Sequence, residues 1–382
     1  MIDYYSKSIE VILANQHGGG AYVACPIFPN YQFCWLRDGS FIAHAMDRVG
    51  EHQSAEAYFR WVDRTIKKYA YKVDELERQL KSDPGAKEKS ILHTRYTLEG
   101  EEESTDSAWG NFQIDGYGTW LWSLAEHVFR TGNDELLSEC SDSVNITVRY
   151  LKAVWQLPNY DCWEEHPEYL HPYSLAAVYS GLMAVERLRA AGKLTACRLP
   201  AGGYAAEIKD FIAQAAIHKG KIVKHIWPAV AGRSARPVIQ SGVDSSLLGL
   251  AVPYQVFKPN EPAMQATIAA IEKELHRPDG GVYRYREDVY YGGGEWLLLT
   301  AWLGWYDALT GAEDQAHELL AWIEDCANAE GNFPEQVSDH SLEPKEFQPW
   351  VDRWGPVASP LLWSHAMYLI LHETLKDLSR KS

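Results

Sequence analysis

Apolar residues recur at three- and four-residue spacing along most of the chain, the period of one face of an α-helix. In "TWLWSLAEHVFRTGN" (119–133), Leu121, Leu124, Ala125, Val128 and Phe129 share a stripe, and Gly132 follows as a stop. "SLAAVYSGLMAVERLRAAG" (174–192) predicts a helix capped by Ser174 and closed at Gly192. "EWLLLTAWLGWYDALTG" (295–311) is apolar nearly all round, which predicts an interior helix. "SPLLWSHAMYLILHETLKDL" (359–378) predicts another, with Ser359 as cap and Pro360 in its first turn. Period-two runs are scarce, and "GAYVACPIF" (20–28) is the best strand candidate. The predicted class is all-α.

Polar loops rich in Trp or Gly interrupt this pattern at "YQFCWLRDGS", "DSAWGNFQIDGYG", "YDCWEEHPEY", "QSGVDSSLL", "YRYREDVYYGGGEW" and "GNFPEQVSDH". Apolar helical segments follow each of them. A ring of helical hairpins brings such loops to one end, where distant loops on a rigid scaffold build a site. No Ser/Gly linker divides the chain, so one domain over 1–382 is expected. The charged, partly helical segment 72–104 carries no assignable role.

Composition narrows the function. With 46% hydrophobic and 23% charged residues the chain is globular rather than disordered. A net charge of −16 argues against nucleic acid or an anionic membrane surface as partner. The most apolar segment, Trp296 to Tyr306, falls far short of the ~20 residues of a membrane span. No signal peptide is visible at the N-terminus, and the six cysteines lack CxxC spacing. Free thiols and a cytoplasmic location are expected. Fifteen Trp, 22 Tyr and 10 Phe suit either a large core or a site whose faces pack on sugar rings.

The stretch "NYDCWEEHPEYL" (159–170) sets Glu164 and Glu165 directly behind Trp163, with Asp161 just upstream. Glu335 lies in "FPEQV". Glycoside hydrolysis needs two carboxyl groups, one kept protonated to serve the leaving oxygen and one to attack or to activate water. Trp163 and neighbouring negative charge favour a protonated Glu164; the alternative is that both are ordinary loop acids. Arg37-Asp38 follows Trp35 at the start of a helix. It serves either as a pair for vicinal hydroxyls or as a helix-capping acid with a structural ion pair. "YRYREDVYYGGGEW" offers Arg284, Glu287 and Asp288 beside Gly292 to Gly294 and Trp296. Neither GxGxxG nor a phosphate loop occurs. "HGGG" at 17–20 has no GxSxG partner. HExxH is absent, and His166 and His171 have the wrong spacing for a common zinc site. No metal and no cofactor are expected.

Taken together, these loops resemble the glucoamylase-type glycoside hydrolases of family 15, which include glucodextranases and some trehalases. The resemblance runs in order from about Gly19 to Ile370. It is carried by "PNYQFCWLRD", "WGNFQIDGYG", "YDCWEE", "RYREDVYYGGGEW", "PEQ" and "PLLWSHA". It implies an (α/α)6 barrel and inversion at the anomeric carbon. It makes Glu164 the general acid and Glu335 the general base, with the two carboxyls roughly 6.5–9.5 Å apart. Arg37, Asp38 and Arg284 would bind the terminal glucose. Tyr31 would sit near the catalytic water, Trp109 near the scissile bond, and Glu165 at the neighbouring sugar. Cys162 departs from the family's usual Leu. The pattern starts near residue 1 and the chain ends just after the last predicted helix, so neither an N-terminal β-sandwich nor a starch-binding domain is expected.

The expected activity is exo-hydrolysis of terminal α-linked glucose from short gluco-oligosaccharides, with α-1,4 or α-1,6 linkage open. The alternatives are a trehalase, an inverting sugar phosphorylase on the same barrel, and a sugar-binding protein without catalysis.

Overall fold

The computed structural model describes residues 2–83, 89–103, 109–195, 197, 199–230 and 232–380. Residues 84–88 and 104 of the charged segment, and 106–108 of the loop before Trp109, lie outside them.

The helical pattern resolves into two concentric rings. Five long apolar helices and one 3-10 turn form the inner ring: Leu36–Arg48, Asp115–Thr131, Pro172–Ala190, Ser245–Leu250, Leu297–Thr310 and Leu362–Ser379. Each packs against the next, and the last returns to the first. The outer ring is Tyr4–Ala14, His52–Lys68, Ser141–Val154, Ala201–Ala215, Pro262–Glu274 and Glu313–Asp325. Outer and inner elements alternate along the chain, which makes the fold an (α/α)6 barrel. The outer helix His52–Lys68 shows why: it buries Ala55, Phe59, Val62 and Ile66 and leaves Lys67 and Lys68 facing outward. The inner Leu297–Thr310 instead buries nearly every residue, as its all-round apolarity requires.

The predicted helix starts need correction. Pro172, with its preset φ, opens the third inner helix. His171 holds the cap position, and Ser174 is buried inside the first turn. The last inner helix opens at Leu362, not at Ser359. Before it, the chain stays extended so that Leu361 N–H reaches Phe333 O and Leu362 N–H reaches Ala24 O. "GAYVACPIF" is not a strand: only Tyr22 forms a bridge, to Gln16. Its backbone bonds instead to the loop 31–33.

Two-residue antiparallel ladders lock the loops at one end of the barrel. Cys34–Trp35 pairs with Arg95–Tyr96, and Glu295–Trp296 pairs with Gln336–Val337. The charged segment therefore has structure. Helix Ala70–Ser82 packs on the outer helices, and the segment ends by delivering Arg95 to the barrel mouth.

Candidate active site

The approaches to the inner elements converge on one cavity of about 550 Å³, within the range of small-ligand sites. Tyr31, Trp35, Arg37, Asp38, Trp109, Trp163, Glu164, Glu165, Arg284, Trp296 and Glu335 all line it. Glu287 does not: it is solvent-exposed and outside the wall. Asp288 lies buried behind the wall and grips Arg284 with both oxygens, at 2.7 Å for Nε–H and with Nη2 as the second donor. It therefore orients Arg284 rather than facing the cavity.

The loop carrying Glu164 is a tight turn. The Asp161 carboxylate accepts from the N–H groups of Trp163 (3.0 Å) and Glu165 (2.9 Å), and Glu164 N–H bonds to Asp161 O. Glu164 itself has φ 69°, a left-handed conformation that a non-glycine residue adopts at some cost. That geometry turns its carboxyl inward, where Trp35 Nε1–H donates to Oε1. Burial raises the Glu164 pKa, against the lowering charge of Arg37 and the Trp35 bond.

Glu335 comes from the last hairpin, held by Glu335 N–H to Ala358 O and by the adjoining ladder. Its Oε1 accepts from Tyr31 Oη at 3.1 Å, and Tyr31 also bonds Tyr290 Oη at 2.8 Å. Burial pushes the Glu335 carboxyl up to about 8; the Tyr31 hydrogen bond and the Arg284 charge oppose this. Tyr31 and Trp35 rings meet edge-on at 5.6 Å, so the partners of the two glutamates are themselves in contact.

Asp38 does not cap its helix, whose start has no side-chain cap bond. It faces the cavity beside Arg37 Nε at 3.3 Å, and burial pushes its pKa up to about 6. Arg37 is anchored by Gln113 and Asp115, each at 3.0 Å. Arg284 lies 5.0 to 5.3 Å over the rings of Trp163, Tyr285, Tyr290 and Trp296. Several buried polar atoms around the cavity have no hydrogen-bond partner in the protein, among them Asp38 Oδ2, Glu335 Oε2, Trp296 Nε1 and Trp363 Nε1. Donors and acceptors mixed with indole faces suit a neutral, hydroxyl-rich ligand.

Sequence reasoning missed Arg95, whose guanidinium sits 3.9 Å over Trp109 and 5.0 Å over Trp35 while pairing with Glu103. It also missed Tyr290 and the Trp350–Trp354 wall. Gln113 and Asp115 stood inside the quoted "WGNFQIDGYG" and Tyr290 inside "RYREDVYYGGGEW", a signal for each; Arg95, Trp350 and Trp354 had none.

The profile of glycosyl hydrolases family 15 matches residues 2–348, and the chain belongs to this family. It is 40% identical over 371 residues to an isomaltose glucohydrolase of Kribbella flavida, covering 96% of this chain and 91% of that protein. Among solved structures, a glycosidase variant in complex with glucose superposes with a TM-score of 0.87 at 39% identity, covering 98% of this chain and 96% of the other. A bacterial glucoamylase complexed with acarbose shares the fold at a TM-score of 0.73 and 19% identity, with 98% of this chain covered and 55% of the other. The protein is a glycoside hydrolase.

Proposed function

We propose that the enzyme removes single glucose units from the non-reducing end of short α-glucosides, isomaltose first, and releases β-glucose. The observation that carries this reading is the pair of glutamates, buried Glu335 and half-buried Glu164, on one cavity. The 40% identical isomaltose glucohydrolase supports the choice of substrate.

In this mechanism Glu164 donates its proton to the departing glycosidic oxygen. Its raised pKa keeps that proton available. Glu335 accepts a proton from a water that attacks the anomeric carbon from the opposite face. Tyr31 occupies Glu335 Oε1 and so leaves Oε2 for the water. Asp38, Arg37 and Arg284 hold the hydroxyls of the terminal glucose, and Trp35 and Trp109 pack its face. Glu165, fixed by Tyr285 Oη, reaches the next sugar. The wall of Trp109 and Trp354, stacked at 6.2 Å, supports short substrates over long chains. The six cysteines are all free, which supports a reducing, cytoplasmic setting. None of the described helices is long and apolar enough to cross a membrane.

Proton NMR time courses over isomaltose, maltose, trehalose and longer glucans test the proposal. Isomaltose is expected to react fastest, with the β-anomer first. Initial α-glucose excludes inversion, and phosphate-dependent release of a sugar phosphate makes the enzyme a phosphorylase.

A further inference from the structure

Behind the Glu164 loop, and outside the cavity wall, three metal-ligating side chains meet. Asp161, His171 and His225 each bring one ligand atom to a point where all lie within 4.8 Å of one another. Their exposures are 4%, 2% and 3%. The two Nδ1 atoms are 3.0 Å apart. Two nitrogens on one tetrahedral zinc, at ordinary Zn–N bond lengths, stand roughly 3.3 Å apart. The imidazoles are thus within a few tenths of an ångström of that spacing.

Outer partners already orient each ligand. His171 Nε2 meets Asn159 O at 2.7 Å, which places the proton on Nε2 and makes Nδ1 the acceptor of a hydrogen bond from His225 Nδ1–H, a bond the ion would replace. Asp161 Oδ1 is taken by the two backbone N–H groups of the turn, while Oδ2 is buried without a partner. Tyr169 stacks on His225 at 5.0 Å and fixes its ring plane. A backbone carbonyl behind the histidine and a hydrogen-bonded carboxylate are the supports that metal ligands have. Asn159 Oδ1, two residues before Asp161, is another buried acceptor without a partner.

The charge of one lysine reaches all three ligands. Lys224 is the nearby cation, but it is held by Asp244 Oδ2 at 3.2 Å and by the Tyr285 ring at 3.2 Å. Among the described residues no ion pair reaches Asp161. The other cluster of this kind, Asp47 with His52 and His127, differs: His127 Nδ1 bonds both Asp47 oxygens at 2.9 Å, so its carboxylate is fully used.

We propose that Asp161, His171 and His225 bind one divalent transition-metal ion, and zinc best matches two imidazoles with one carboxylate. The ion ties the base of the Glu164 turn to the His225 segment, where Leu170 and Ile226 already exchange backbone bonds of 3.0 and 2.8 Å. Its role is structural. The proposal stands apart from the catalytic reading and departs from the expectation of no metal. His166 and His171 suggested nothing by spacing because the second ligand lies 54 residues beyond His171.

The test uses the untagged full chain, stripped by dialysis against a chelator. It is titrated with Zn²⁺ against a chromogenic chelator, and with Co²⁺ followed by visible absorption. Expected are about one ion per chain, bound tighter than about 1 µM, and a tetrahedral Co²⁺ band. Zinc is expected to raise the melting temperature of the stripped protein. His225→Ala and Asp161→Asn should lose uptake and the thermal response, whereas His52→Ala should keep both. If wild type takes up neither metal, or His225→Ala takes up as much as wild type, the proposal is overturned. The wild-type titration decides even where a variant fails to fold.

Discussion

Glu335 is the residue whose environment and task pull in opposite directions. As the proposed base it must ionise, yet burial holds its carboxyl at about 8 against an ordinary value of 4.5. Between those values the unfolded chain has shed the proton and the folded chain keeps it. Stability from this group is therefore full below about pH 4.5 and is lost as pH rises towards about 8. Glu335→Gln retains shape without the charge. Its melting temperature should exceed wild type by a gap that widens over this window, measured by calorimetry in a pH series; a constant gap refutes the assignment. The same substitution is expected to lower kcat by about 10²- to 10⁴-fold. For wild type, kcat/KM should climb with pH towards about 8 as Glu335 loses its proton. Tyr31→Phe removes a bond that lowers this pKa, so the acid limb should move to still higher pH. A limb that stays in place removes Tyr31 from the role.

At the scale of elements, the inner helices Asp115–Thr131 and Pro172–Ala190 cross with almost no space between backbones. A Cβ at Gly118 would stand 2.3 Å from Ala177 O, and one at Gly181 would stand 2.4 Å from Gly118 O. Glycine is needed here for close approach, since neither position has a positive φ. Gly118→Ala must separate the helices and is expected to cost about 1–3 kcal/mol, read from denaturant unfolding. An unchanged midpoint would contradict this crossing. The charged segment 72–104 acts through its strand Arg95–Tyr96. Arg95 fills the space between Phe33, Trp35 and Trp109. Arg95→Leu leaves the Glu103 carboxylate without this partner and frees Trp109, so KM for a disaccharide should rise severalfold with a smaller change in kcat. An equal fall in kcat alone would assign Arg95 to the chemistry instead.

The whole molecule is a closed ring whose ends hold each other. Ser8 Oγ meets His365 Nδ1 at 2.9 Å, Tyr5 Oη donates to Glu373 at 2.8 Å, and Leu362 N–H reaches Ala24 O. Approaches to successive inner elements line the cavity, so local order at the site depends on closure everywhere. One cooperative unit over the chain is expected. Activity loss, near-UV circular dichroism and calorimetry should report a single thermal transition at the same temperature. Two separated transitions would divide the chain into independent domains.

Helical periodicity, the apolar run 295–311 and the loop rhythm were enough to read an all-α ring from the sequence, because each depends on local spacing and burial. Glu164 and Glu335, which line one cavity, were picked out because they stand in short stretches that resemble the family's motifs. Helix starts were less so. Ser174 and Ser359 have good capping chemistry, but Pro172 and the bond from Leu362 to Ala24 decide where those helices begin. Glu287 and Asp288 stand side by side in sequence, yet one faces solvent and the other grips Arg284. Arg95 offered no signal, since the rings it covers, Phe33, Trp35 and Trp109, lie outside its own segment. Residue type and local period determine which elements form. Which side chains share a cavity, and which carboxyl is stripped of water, is decided by long-range packing that no local window contains.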